Sequence, residues 1–433
     1  MANWIVLVVV SVGVFAEKSL AQDIDEYKSG LPPWSKGYMD IHHIHTGGGD
    51  ATFFIFPDGT TMLFDAGDMD QKAFDKKWGP LKATPLYPTD SLTAGQWIIH
   101  YINQMMLEPR EATIDYALIS HFHSDHYGYV KDDAKKSENG NYRLTGITEI
   151  AEHIPIHTLI DRNAPTYDYP LDLKTYYTKH QDSTFLNYLD FVDHRLKNNQ
   201  TVEGLKAGAN DQIQLKFSPD QYPSFVVRNV KANGTIWTGQ RTNTFQYLHQ
   251  DSLMSDQGKF NENPLSLALK ISYGAFDYFT GGDMTGLKGY GLPAWFDVET
   301  PVAKVVGQVE ATTLNHHGNR DATNQDFVKL LDPEVVVQQS WCSDHPGQEV
   351  FHRLAAKRPD GKTRDIYATN IHEETKVALG PWFTKAYKSM KGHVLIRVSP
   401  GGQKYSVYTL DNKKSSIRVV NKFGPYISSM RRE

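Results

Sequence analysis

The chain predicts a mixed α/β fold, and three patterns carry that prediction. Apolar, β-branched runs of strand length recur along its 433 residues, with 113–120 the clearest. Segment 91–106 has apolar residues at helical spacing, and segment 324–331 reads as a second helix. Two hairpin signatures, Pro57-Asp58-Gly59 near the start and Ser399-Pro400-Gly401-Gly402 near the end, each lie between apolar runs.

In chain order, 47–67 reads as two strands about the Pro-Asp-Gly turn. In 91–106, Leu92, Trp97, Ile98, Tyr101, Ile102 and Met105 line one helix face and Ser91 is placed to cap it, which puts His100 on another face and argues against a ligand role for it. Strands follow at 113–120, 225–230, 265–271 and 276–280. After the helix at 324–331 come a strand at 334–340 and the closing pair 393–398 and 405–410.

With 40% hydrophobic and 12% aromatic residues the chain can bury a substantial core. No repeat or long linker divides it, so 22–433 is expected to be one domain, with insertions near 131–220 and 231–262. Residues 4–15 are almost wholly apolar and Ser19-Leu20-Ala21 offers a small-residue cleavage site, so 1–21 is expected to be a signal peptide. That places the mature protein outside the cytoplasm, periplasmic or secreted, with no stable membrane span after cleavage. The formal net charge of −5 and pI near 6.4 lack the basic footprint of a long-nucleic-acid binder.

The chemistry concentrates in His121-Phe122-His123-Ser124-Asp125-His126, on the loop leaving strand 113–120. Extended alternation sends His121 and His123 to one side and Asp125 and His126 to another. Imidazole with carboxylate suits zinc or a similar divalent ion. The plain alternative, a His-rich surface loop that binds nothing, sits poorly with a position straight after an apolar strand. Downstream stand Gly281-Gly282-Asp283, after strand 276–280, then Asn315-His316-His317-Gly318 and His345-Pro346.

Together these motifs resemble the metallo-β-lactamase superfamily of hydrolases. His-x-His-x-Asp-His is similar to its first metal motif and 47–67 to its opening hairpin. Asp283 falls where members bridge two metals. The His-His-Gly form of the last motif is like the branch containing ComEC-type nuclease domains and phosphorylcholine esterases, which also carries a helix, an apolar strand and a His-Pro at the places of 324–331, 334–340 and His345-Pro346. The resemblance implies a four-layer αββα sandwich. It implies two divalent ions, zinc or alternatively manganese, held by His121, His123, Asp125, His126, Asp283 and His317, with catalytic roles for Asp125, His316 and His345.

One departure stands out. Many members supply a further His to the first metal from mid-chain, where this chain reads Lys231-Ala232-Asn233-Gly234. Either Asn233 or water completes that site, or an insertion His does (His153, His157 or His249), or the first site is weak and partly occupied.

The implied activity is a metal-dependent phosphoesterase, most concretely a phosphodiesterase, in which a metal-bound hydroxide attacks, Asp125 can take its proton, and His316 and His345 hydrogen-bond substrate or protonate the leaving group. The alternatives are amide or lactone hydrolysis at the same site, and a non-catalytic surface binding protein on this scaffold. The expected partner is a small-molecule or phosphodiester substrate. Tyr167, Tyr169, Tyr176, Tyr177, Trp237, Phe245 and Tyr247 could wall its pocket or serve as ordinary packing.

Overall fold

The computed structural model describes residues 30–106, 111–254, 259–411 and 417–429, so the expected signal peptide lies outside the described residues. Among the described residues, eighteen strands form two nine-stranded sheets. The first sheet takes β1 (Met39–His43), β2 (Thr52–Ile55), β3 (Thr61–Phe64), β4 (Ile114–Leu118), β5 (Ile156–Asp161) and β6 (Thr201–Gly204). The second takes β7 (Phe225–Ala232), β8 (Thr235–Trp237), β9 (Thr244–Gln246), β10 (Ala268–Tyr273), β11 (Phe276–Thr280), β12 (Ala311–Thr313), β13 (Val335–Gln338), β14 (Asp365–Ala368) and β15 (Tyr387–Ser389). The chain then returns to the first sheet with β16 (His393–Val398), β17 (Lys404–Asp411) and β18 (Arg418–Ile427).

Both sheets are mixed, antiparallel in one part and parallel in the other. The first runs β18-β17-β16-β1-β2-β3-β4-β5-β6, and β3 to β6 are parallel. The second runs β15-β14-β13-β12-β11-β10-β7-β8-β9, and β11 to β15 are parallel. Parallel neighbours need crossovers, which the intervening helices supply.

Side-chain alternation sorts the core into layers. From β2 to β4, Phe54, Met62, Phe64, Tyr116 and Leu118 point inward and meet Leu269, Ile271, Tyr278 and Val335 of the other sheet. Phe53, Leu63 and Ala117 point outward against helices Ala94–Met105, Gly146–His153 and Ser183–Lys197. On the far side Phe279, Val336 and Ile366 pack against helices Glu299–Val306, Gln325–Leu331 and Gln348–Ala355. The expected four-layer αββα sandwich is the observed architecture.

Several boundaries differ from expectation. The first long helix is capped by Thr93, not Ser91, because Thr93 and Gln96 form a reciprocal capping box; Leu92 falls outside the helix and is exposed. The strand expected at 265–271 starts at Ala268, because Pro264 lacks an amide hydrogen and Asn263–Leu265 form a 3-10 turn. The strand expected at 225–230 continues to Ala232. Both hairpins pair antiparallel in the expected places. Among the described residues no helix is long and apolar enough to cross a membrane.

Candidate metal centre

The loops that leave β3, β4, β11, β12 and β13 gather at one end of the sandwich. Gly67, after β3, and Gly49, before β2, press against the Asp125 carbonyl; a Cβ on either would lie 2.0 or 2.1 Å from that oxygen. The lack of a side chain lets Asp50 N–H donate to the same carbonyl at 2.8 Å, which fixes the His-x-His-x-Asp-His loop against its neighbours. The His-His-Gly segment is held in a demanding backbone: His316 and His317 have φ of +48° and +55°. Gln338 Nε2 donates to the His317 carbonyl at 2.9 Å, and His316 N–H donates to the Gly282 carbonyl at 3.1 Å.

Two groups of side chains result, and Asp283 belongs to both. Asp125, His126, Asp283 and His317 form one, and His121, His123 and Asp283 the other, each with its ligand atoms within 4.8 Å of one another. In the first, Asp283 Oδ1 is 3.1 Å from His126 Nε2, Asp125 Oδ2 is 2.9 Å from His317 Nε2, and Asp283 Oδ2 is 3.5 Å from His317 Nε2. In the second, His121 Nε2 is 3.1 Å from His123 Nδ1 and 3.8 Å from Asp283 Oδ2. The expected alternation is realised, with His121 and His123 on one side and Asp125 and His126 on the other.

The donor set fits a cation. His126 Nε2 and Asp283 Oδ1 are buried without a hydrogen-bond partner, a costly arrangement unless an ion satisfies them. The far nitrogens are already oriented: His126 Nδ1 pairs with Asp65 Oδ2 at 2.8 Å, and His317 Nδ1 with Asp50 Oδ1 at 2.9 Å and the Gln339 carbonyl at 3.1 Å. Carboxylates behind the imidazoles hold each ring with Nε2 facing inward, as in histidine-metal sites generally. Burial opposes protonation of His126 and His317, yet the surrounding carboxylates, Asp283 foremost, outweigh it and hold both well above the ordinary histidine range. The pocket is thus built for positive charge.

The remaining predicted residues flank this centre. His316 donates Nδ1–H to Asp321 Oδ1 at 2.6 Å, and its Nε2 lies 3.8 Å from Asp283 Oδ2; its side chain, 19% exposed, opens to solvent more than that of His121, His126 or His317. His345 stacks on His317 with centroids 4.9 Å apart. Burial pushes it down to about 3, helped by His317, so it stands neutral.

Asn233 does not reach the centre: its Oδ1 accepts from Arg162 Nη1 and its Nδ2 donates to the Arg162 carbonyl. His153, His157 and His249 are exposed and stand in neither group. Those four candidates for the missing ligand are therefore corrected. Lys231 is buried instead, its Nζ donating to the Ser266 carbonyl at 2.7 Å. His100 pairs with Gln104. Of the aromatic residues, Tyr167 and Tyr177 are core beneath Phe122, and Tyr169 and Tyr247 pack on the other core, whereas Phe245 is exposed.

Sequence reasoning missed Asp50, Asp65, Trp341 and Glu299. Trp341 Nε1 donates to Asp125 Oδ2 at 3.0 Å and closes one wall. Asp50 and Asp65 flank the opening hairpin, and their carboxylates close behind a Gly-rich turn and a strand end were the available signal.

Glu299 lies under the His-His-Gly loop, accepting from Asn315 Nδ2 at 2.6 Å, Thr323 N–H at 2.5 Å and Asn324 N–H at 2.7 Å. Burial pushes its carboxyl from 4.5 up to about 7 against those donors. A carboxyl with a raised folded pKa binds its proton preferentially in the folded state. Its contribution is complete below 4.5 and is lost as pH rises to about 7. The stability advantage of the wild type over Glu299→Gln is expected to shrink by roughly 3 kcal/mol across that window. Urea unfolding at stepped pH measures it, and a flat difference would show the carboxyl to be ionised throughout.

No protein-family model and no curated protein matches the chain. Among solved structures it is similar to the diiron β-hydroxylase CmlA from Streptomyces venezuelae, at 12% identity and a TM-score of 0.36 over 85% of this chain and 55% of that one. It is also similar to Zn(2+)-bound PqqB from Methylobacterium extorquens, at 11% identity and a TM-score of 0.37 over 83% and 99%. A protein of unknown function from Enterococcus faecalis V583 follows at 12% identity and a TM-score of 0.29, over 82% and 74%. The chain spans about half the length of CmlA.

Proposed function

We propose that this protein is an exported metal-dependent hydrolase acting on phosphoesters, most concretely a phosphodiesterase. The observation that carries the reading is the pair of His/Asp groups sharing Asp283, in which His126 Nε2 and Asp283 Oδ1 are buried without a hydrogen-bond partner. His121, His123 and Asp283 would hold one ion, and Asp125, His126, Asp283 and His317 the other. All donors are imidazole or carboxylate, which suits zinc, with manganese as the alternative. When bound, such a pair of ions lowers the pKa of water toward about 7 and clamps the oxygens of a phosphoryl centre.

The chain's own residues supply the rest. Asp125, beside His317, can accept a proton from the attacking water. His316 is a partly exposed imidazole of the site and, anchored by Asp321, can hold substrate or pass a proton at Nε2. His345 is buried and neutral, suited to hydrogen bonding rather than acid catalysis. The preference for phosphoesters rests on the His-His-Gly resemblance, and export rests on the apolar run at 4–15 with Ser19-Leu20-Ala21.

Metal analysis combined with bis-p-nitrophenyl phosphate, p-nitrophenyl phosphorylcholine, nitrocefin and a lactone tests the reading. Turnover of a phosphodiester, lost on chelation and restored by zinc or manganese, is expected. Turnover of nitrocefin or the lactone alone would transfer the assignment to amide or lactone hydrolysis, and a metal-loaded protein inert to the whole panel would overturn it.

A further inference from the structure

We propose that the side-chain oxygen of Asn263 is the remaining protein ligand of the ion held by His121, His123 and Asp283. The proposal rests on the two-ion reading above and names the group that the mid-chain departure left open.

Every residue expected to fill that place is engaged or exposed, whereas Asn263 combines placement with an unmet need. It is 5% exposed, and its Oδ1 is buried with no hydrogen-bond partner. Its Nδ2 lies 3.2 Å from His316 Nε2, which is itself 3.8 Å from Asp283 Oδ2. His316 donates Nδ1–H to Asp321, so its Nε2 can accept from the Asn263 amide and leave Oδ1 for another electrophile.

The turn bearing Asn263 is tied to two of the ligand loops. Glu262 Oε2 accepts from the Phe122 amide at 3.3 Å, between His121 and His123, and Ser266 Oγ accepts from the Asp283 amide at 3.1 Å. Glu262 cannot itself be the ligand, because Arg162 Nε at 2.9 Å, Arg162 Nη2 at 2.5 Å and Tyr177 OH at 2.9 Å take up its carboxylate. That ion pair instead anchors the turn, leaving the carboxamide of the next residue as the unspent oxygen beside the site.

A carboxamide oxygen is a harder and weaker donor to zinc than an imidazole. The ion at His121 and His123 should accordingly leave first under a competing chelator and tolerate manganese well.

The test uses metal-free full-length protein titrated calorimetrically with zinc alone and with manganese alone, followed by stepwise chelator release, for the wild type, Asn263→Leu and Asn263→Asp. Asn263→Leu keeps the branched shape but removes the donor, and is expected to weaken one ion by about tenfold or more while sparing the other. Asn263→Asp keeps the oxygen and adds charge, so that ion should bind tighter than in the wild type. Opposite shifts are the signature of a ligand; a residue that only steadies His316, which is not itself a ligand, would leave both affinities unchanged. Equal weakening, or two ions of unchanged affinity in both variants, overturns the assignment. A wild type that takes up no ion overturns the two-ion reading with it.

Discussion

Asp283→Ala is expected to yield a folded protein that has lost most of its bound metal and its hydrolytic activity. Asp283 is the one residue common to both groups, with Oδ1 3.1 Å from His126 and Oδ2 3.5 Å from His317 and 3.8 Å from His121. No other described side chain is shared in this way, so its removal would take a ligand from both proposed ions at once. Loss of the metal contribution amounts to several kcal/mol in the transition state, or about three orders of magnitude in turnover. The fold should survive, because His126 keeps Asp65 and His317 keeps Asp50 and Asp125 as partners. Metal content by elemental analysis, circular dichroism and phosphodiester turnover decide the matter together. A variant with full metal content and wild-type turnover would sink the assignment of Asp283.

Much of this centre was legible because its residues lie close in sequence and directly after strands. Alternation along an extended loop sorted His121 and His123 from Asp125 and His126, and the strand at 276–280 delivered Asp283. The layers were legible for a related reason: at parallel strands such as β4, which pack on both faces, the sequence reads as a nearly continuous apolar run.

What was not legible depends on tertiary approach. Asp50 and His317 are 267 positions apart, and Arg162 and Glu262 are 100 apart. No local pattern announces either pair. Asn233 was a natural suggestion for the vacant ligand because it follows the right kind of strand. Yet β7 runs two residues farther than its hydrophobic pattern indicates, and Arg162 captures the Asn233 carboxamide. The helix cap was misplaced for a similar reason, since Ser91 and Thr93 are both competent and only the second has Gln96 at the reciprocal position.

The adjacent histidines provide the sharpest division of labour. His317→Ala is expected to lose the ion shared with Asp125, His126 and Asp283, and to lower turnover by about three orders of magnitude. Its Nε2 faces Asp125 Oδ2 at 2.9 Å while its Nδ1 is occupied by Asp50, so the ring has one nitrogen committed inward and one held from behind. His316→Ala is expected to keep both ions and lose roughly two orders of magnitude in turnover, the typical worth of a positioned proton donor or acceptor. Its ring also has Nδ1 on an Asp, Asp321, but its Nε2 lies beside Asn263 Nδ2 and 3.8 Å from Asp283 Oδ2, and its side chain is more exposed than that of His317. Measuring metal stoichiometry beside kcat and KM for each variant separates the roles. Metal loss in His316→Ala with metal retained in His317→Ala would exchange them, and equal metal loss in both would make His316 a ligand as well.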